Sequence, residues 1–196
     1  MTGCDIVLSK WIGLKGTALI AEERSEELSR EFSGYFINTA RDLGKYLDVE
    51  RETALAEGSG ALYMRETGEG GIYKALWDMG EDLGTGLEVE LKAIPVKQET
   101  IEIANHFDID PYKLLSGGSL LMVASRGYDL VHLLRKNGIN AAVIGSVNNS
   151  KDRTILNGEI RRFICPRDKD EIETIIGSDG RGNRKERPPW IRKKSG

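Results

Sequence analysis

The segment Glu66-Thr67-Gly68-Glu69-Gly70-Gly71 sets three glycines within four positions, after an apolar run and directly before a run with helical spacing. Backbone N–H groups at a helix N-terminus are unpaired and sit at the positive end of the helix dipole, so they form an anion site. Glycine lets the chain come close to an anion and take positive φ without a Cβ clash. On those grounds Gly68, Gly70 and Gly71 fit a phosphate cradle, with the Thr67 hydroxyl as a further donor. A plain strand-to-helix turn is the competing reading. No Lys-Ser or Lys-Thr follows the glycines, so the segment is not a P-loop, and Tyr73 stands where a dinucleotide fingerprint would need its third glycine. Glu69 within the loop opposes an anion unless a metal ion or the fold turns it away.

A second glycine turn, Ser116-Gly117-Gly118, lies between a turn-rich piece and an apolar run. Helix C-capping is the simpler account of Gly117. Other candidates carry less. His106 and His132 have no partner at metal or triad spacing, and the serines around Gly117 make no G-x-S-x-G elbow. Glu22, Glu23, Glu26, Glu27 and Glu31 read as a solvated helix face because calcium loops alternate carboxylates with turn residues. Asp108 and Asp110 before Pro111 read as a turn. No catalytic constellation and no metal site emerges.

The elements that must position the glycines follow from periodicity. Asp5–Ser9 starts as a strand, and a long charged helix is expected from Gly16 to Phe32, with Glu26 placed to pair with Arg30. Two more helical runs follow, the second with Asp48 as N-cap. Residues 60–66 read as a buried strand. Ile72, Ala75, Leu76, Met79 and Leu83 then repeat at helical spacing, and Leu87, Val89 and Leu91 alternate with charged residues as a strand does. A helix at 97–107, a strand at 119–125, a helix closed by Gly138 and a strand at 141–147 come next. Asn157-Gly158 marks a two-residue hairpin. Two strand–helix–strand units, each with parallel strands and a crossover, predict an α/β (α+β) fold: a layered sandwich with a mixed sheet and some ferredoxin-like character.

At 196 residues, 39% hydrophobic and 30% charged, the composition is that of one soluble domain with a tail. The boundaries expected are 1–176 for the domain and 177–196 for a flexible basic tail. That tail holds seven Lys or Arg against two Asp or Glu, so the net −3 divides into +5 on the tail and −8 on the body. An acidic body is not the profile of a nucleic-acid-binding domain. The tail, with Trp190, could bind RNA, an acidic partner or a membrane surface, though a solvated terminus is the simpler reading. Cys4 and Cys165 suit a reducing compartment, and Lys10 and Lys15 interrupt the apolar opening, so neither signal peptide nor membrane span is expected and the address read is cytoplasmic.

The ordered series DIVLSKWIGLKGTALIA, GEGGIYKALWDMGEDLGTGLEVELKAIPV, DPYKLLSGGSLLMVA, GINAAVIGSV and RTILNGE resembles the C-terminal domain of the AIR synthase superfamily, over Asp5 to Pro166. That superfamily includes aminoimidazole ribonucleotide synthase, selenophosphate synthetase, thiamine-monophosphate kinase and the hydrogenase maturation carbamoyl dehydratase, the last being the nearest likeness. The resemblance implies half of an ATP-dependent, commonly dimeric enzyme. An N-terminal domain, absent from these residues, would supply the Mg²⁺ carboxylates and most of the nucleotide site. The C-terminal domain would cover that site with Glu66–Gly71, matched to the family's glycine-rich loop, and Ser116–Gly118, matched to its second turn. ATP and Mg²⁺ are therefore expected only together with an N-terminal domain, none for these residues alone; such a domain or a second copy would be the partner. Glu66 and Gly68 stand where the family usually has Asp and Thr, and Cys165 is internal whereas the dehydratase uses a C-terminal cysteine, so that self-modification is not expected. A catalytically silent binding module, or a truncated gene product, is the alternative.

Overall fold

In a computed structural model, which describes residues 1–165 and 170–177, a seven-stranded sheet has the order β2-β4-β1-β5-β3-β6-β7. The strands are β1 (Asp5–Ser9), β2 (Tyr63–Glu66), β3 (Gly86–Glu90), β4 (Leu120–Ala124), β5 (Ala141–Asn148), β6 (Arg153–Asn157) and β7 (Ile160–Phe163). The helices are α1 (Leu14–Glu23), α2 (Ser25–Leu28), α3 (Gly34–Arg41), α4 (Glu50–Gly58), α5 (Gly71–Leu83), α6 (Gln98–Phe107), α7 (Gly127–Lys136) and α8 (Ile172–Ile176), with 3-10 turns at Asp42–Tyr46 and Leu91–Ala93. Only β3 and β6 pair in parallel, so the sheet is mixed, as the sequence predicts.

The two strand–helix–strand units are present with their strands pointing the same way, but not side by side. β1 inserts between β4 and β5, antiparallel to both. β4, β1 and β5 together separate β2 from β3. Periodicity reports which face a residue occupies and says nothing about which strand lies next to it.

Strand alternation divides the core. Ile6, Leu8, Leu121, Val123 and Val89 meet Ile72, Leu76 and Met79 of α5 on one face. Val7, Leu120, Met122 and Ala141 meet Ala56 of α4 and Leu130 and Leu134 of α7 on the other. Both faces of β1 and β4 are therefore buried, which is why those strands read as unbroken apolar runs. A third cluster, with Ile20, Ile37, Ile103, Leu114 and Ile175, joins α1, α3, α6 and α8 beside the sheet.

Several local expectations shift. The long N-terminal helix breaks at Arg24, whose φ of −115° is not helical. Its guanidinium donates to Ile175 O instead, and it pairs with Glu27 rather than leaving the pairing to Glu26 and Arg30. β2 is a half-buried edge strand, not a buried one. The hairpin loop is Gly158-Glu159, one residue later than expected, because Asn157 still pairs with Ile160. Asp48 accepts from Glu50 N at 2.9 Å, at the start of α4. Of the basic tail, residues 178–196 lie outside the described residues.

Candidate functional site

The two glycine turns, 49 positions apart from Thr67 to Ser116, lie against each other because each continues a paired strand. β2 and β4 are antiparallel, with Glu66 opposite Leu120, so the chain leaving β2 and the chain entering β4 meet at one end of the sheet. The pairing runs on past the strands. Thr67 N donates to Ser119 O at 2.8 Å, Ser116 N to Gly68 O at 3.0 Å, and Gly118 N to the Glu66 carboxylate at 3.0 Å. Glu66, Thr67, Gly68, Gly70, Gly71, Ser116, Gly117 and Gly118 thus belong to one constellation, with Gly117 close to the stem of Lys15 on α1.

Two glycines are required by close packing. Gly71 has φ +66°, and a Cβ there would strike Tyr112 O and lie 2.8 Å from Lys113 C and 2.9 Å from Leu114 O. Gly118 has φ +97°, and a Cβ there would lie 2.8 Å from Leu47 Cα. All the atoms just named are backbone apart from the Cβ itself, so no rotamer change relieves the contact. Gly117 caps no helix, since residues 111–118 contain none; the C-cap reading of that position is corrected.

The side chains turn inward. The Thr67 hydroxyl, buried, donates to Ser116 O and Ser119 O, so it is committed within the protein instead of being offered to a ligand. The Ser116 hydroxyl donates to Leu114 O at 2.7 Å and accepts from Gly13 N at 2.8 Å. Lys10, with φ +53°, extends its ammonium to Tyr46 O, Asp48 O and Gly118 O and pairs with the buried Glu52 at 2.5 Å. It therefore ties the second turn to the segment before α4.

Most of the amides at the start of α5 are also committed, that of Ile72 being without a partner among the described residues. Gly71 N donates to Gly68 O, and Tyr73 N to Tyr112 O. Gly70 N donates at 2.7 Å to a carboxylate that the sequence reading did not single out, that of Asp170. The other Asp170 oxygen accepts from Leu115 N at 3.1 Å and from Ile172 N at 2.9 Å. The only sequence signal was an Asp just before a short helical run, a common helix-start pattern. Among the described residues, the N–H groups of Gly68, Glu69 and Gly117 have no hydrogen-bond partner, and the exposed Lys15 makes no ion pair. Glu69 is exposed.

Electrostatic perturbation lies along the flank. Burial, and then the hydrogen bond to Asp82, push the Tyr63 phenol up to about 12. Arg65, the residue before Glu66, bridges Asp78 and Asp82 on α5 at 2.8 and 2.9 Å. Burial, with Asp110 next, also raises the Tyr112 phenol, whose ring stacks on Tyr73 at 5.5 Å. Among the described residues no cluster of three or more His, Cys, Asp or Glu could hold a metal ion, and no helix is long and apolar enough to cross a membrane.

Comparison with known proteins places this architecture. The phosphoribosylformylglycinamidine synthase subunit PurL of Methanopyrus kandleri is 27% identical over 158 residues, 75% of this chain and 20% of that protein. A Methanocaldococcus jannaschii protein named for hydrogenase expression and formation is 26% identical over 166 residues, 83% of this chain and 47% of its own length. A solved hydrogenase maturation protein HypE, in complex with ATP, shares the fold with a TM-score of 0.67 at 15% identity, over 88% of this chain and 53% of that one. The chain thus spans less than half the length of these two curated relatives. The family model for the AIR synthase related protein, C-terminal domain, matches residues 2–156, and the chain belongs to that family.

Proposed function

We propose that this chain is the C-terminal half of an ATP-dependent AIR-synthase-like enzyme, of the hydrogenase maturation type. It would steady phosphate oxygens with the outer edge of its two glycine turns. The observation that carries this reading is the pair of turns fixed edge to edge, with the N–H groups of Gly68, Glu69 and Gly117 unpartnered among the described residues and Lys15 alongside. Buried backbone donors without a partner are uncommon in folded proteins, and Gly117 is a buried residue. Preorganised donors of this kind act where negative charge must be stabilised. Mg²⁺ ligands would come from an N-terminal domain, on the same chain or another. The partner would be that domain or a second copy, in the cytoplasm. The bound ATP of the HypE neighbour agrees with a nucleotide role.

The proposed cradle differs from the one that the sequence suggests. Three amides at the start of α5, those of Gly70, Gly71 and Tyr73, serve Asp170, Gly68 O and Tyr112 O, so phosphate contact falls mainly to the outer amides. The same commitment favours a second reading, a catalytically silent interaction module that keeps the fold. Calorimetric titration with pyrophosphate and with Mg·ATP separates the two. The enzyme-half reading expects saturable pyrophosphate binding, weakened about tenfold by Lys15→Met, the size of one lost charge-assisted contact of about 1.5 kcal/mol. Absence of heat from either ligand at millimolar concentration, both for the chain alone and for the chain with a matching N-terminal domain, leaves the silent module.

A further inference from the structure

We propose that Asp170 is the positioning residue of the glycine turns, and that residues 170–177 form a strap whose docking sets their geometry. The purpose given to that geometry rests on the phosphate reading above; the clamp itself does not.

Asp170 is 3% exposed, and its carboxylate lies within the constellation. Its two oxygens divide between the turns: Oδ2 takes Gly70 N of the first, and Oδ1 takes Leu115 N, next to Ser116 of the second. Gly70 is the left-handed residue before α5, so its N–H has no acceptor inside the helix and needs one from elsewhere. The Leu115 peptide is held on its other side as well, its O accepting from Gly16 N of α1 at 2.9 Å. A single side chain therefore fixes the end of the first turn relative to the beginning of the second.

The same Oδ1 accepts from Ile172 N and so starts α8. α8 is anchored independently: Ile175 is buried in the third core cluster, and its O accepts from the Arg24 guanidinium. Glu171 N donates to Lys113 O at 3.3 Å. The strap thus carries its own attachment to the body, and Asp170 connects that attachment to the loop. A carboxylate that competed with phosphate would have to occupy the solvent side. Asp170 is buried and uses the amides of Gly70 and Leu115, leaving those of Gly68, Glu69 and Gly117 unpartnered among the described residues. It clamps the loop without filling it.

The test is amide hydrogen exchange on the full chain, read residue by residue by NMR. Asp170→Asn keeps the shape but replaces one acceptor oxygen with a donor NH₂. Its remaining oxygen keeps the two bonds to Leu115 and Ile172, and the NH₂ faces Gly70 N–H. The clamp predicts that exchange at Gly70 accelerates at least tenfold while Leu115 stays protected and the melting temperature moves by only a few degrees. Asp170→Ala should free both amides and weaken pyrophosphate at least fivefold. In the unsubstituted chain, saturating pyrophosphate should slow exchange at Gly70, Leu115 and Ile172, because a ligand that prefers the clamped loop must in turn stabilise the clamp. Unchanged protection of both amides in both variants overturns the proposal. So does faster exchange of the strap with pyrophosphate, or tighter pyrophosphate binding by Asp170→Ala, either of which would make the carboxylate a competitor. If pyrophosphate binds the unsubstituted chain neither alone nor with a matching N-terminal domain, the phosphate reading fails, and the ligand-free exchange of Asp170→Asn still decides the clamp.

Discussion

Replacing Gly71 by Ala tests whether the first glycine turn is shaped by contact with residues 112–114. Two costs can be separated. A positive φ costs an alanine about 1–2 kcal/mol, and Gly71 has φ +66°. The added methyl also meets Tyr112 O, Lys113 C and Leu114 O, all main chain, so the segment must move. Overpacking of this kind costs about 1–3 kcal/mol. The sum is about 2–5 kcal/mol. Gly84 supplies the reference, because it has φ +62° and nothing within 4 Å of an added Cβ. Gly84→Ala should therefore cost only the first part, about 1–2 kcal/mol. The assay is urea unfolding followed by tryptophan fluorescence, comparing midpoints at a common slope. Gly71→Ala should fall below Gly84→Ala by about 1–3 kcal/mol, the overpacking part. Equal midpoints would refute the reasoning: the two variants would share only the φ penalty, and the 112–114 contact would play no part in holding the loop.

Two further perturbations follow from buried or shifted groups. Lys10→Met strands the Glu52 carboxylate, which is 2% exposed, and should cost about 3–5 kcal/mol; adding Glu52→Leu should recover much of that loss in the same urea assay. The Tyr63 phenol is raised from 10.0 to about 12, so the folded state retains a proton that the unfolded chain loses. Its contribution is therefore complete below pH 10.0 and is lost as pH rises from 10.0 through about 12. Because the ring is only half-buried, solvent screening reduces the loss to about 1 kcal/mol, and Tyr63→Phe should remove that part of the alkaline decline.

What the sequence could disclose depended on how local the cause was. β1 and β4 were visible as apolar runs because both of their faces are buried. α5 was visible because Ile72, Leu76 and Met79 all face the sheet. The insertion of β1 between β4 and β5 was invisible, since strand order depends on pairing between segments more than 100 residues apart and leaves no mark on spacing. The glycine turns were legible as turns, and the family resemblance put them in one site. Their internal bonding was not: a buried Thr67 hydroxyl and a solvent-facing one have the same one-letter code. Asp170 was missed for a similar reason. Its role is set by where a distant strap crosses the loop, and nothing in residues 166–177 states that crossing.

The inward commitment of these groups bears on what the loop can do. The positive end of a helix dipole acts over the first turn and is weakened once a negative charge already sits there. At α5 that charge is the Asp170 carboxylate, bonded to Gly70 N. An external anion at the outer amides would gain less from the dipole than at an open helix end and would depend more on Lys15 and on the fixed spacing of the two turns. A cation supplied from outside, whether a metal ion on the nucleotide or a basic group of an N-terminal domain, would then contribute more than the loop does. The acidic side chains nearby, Glu66 bonded to Gly118 N and the exposed Glu69, push the same way. On the proposed function, a domain built like this would hold phosphate weakly by itself and firmly only as the second wall of a cleft.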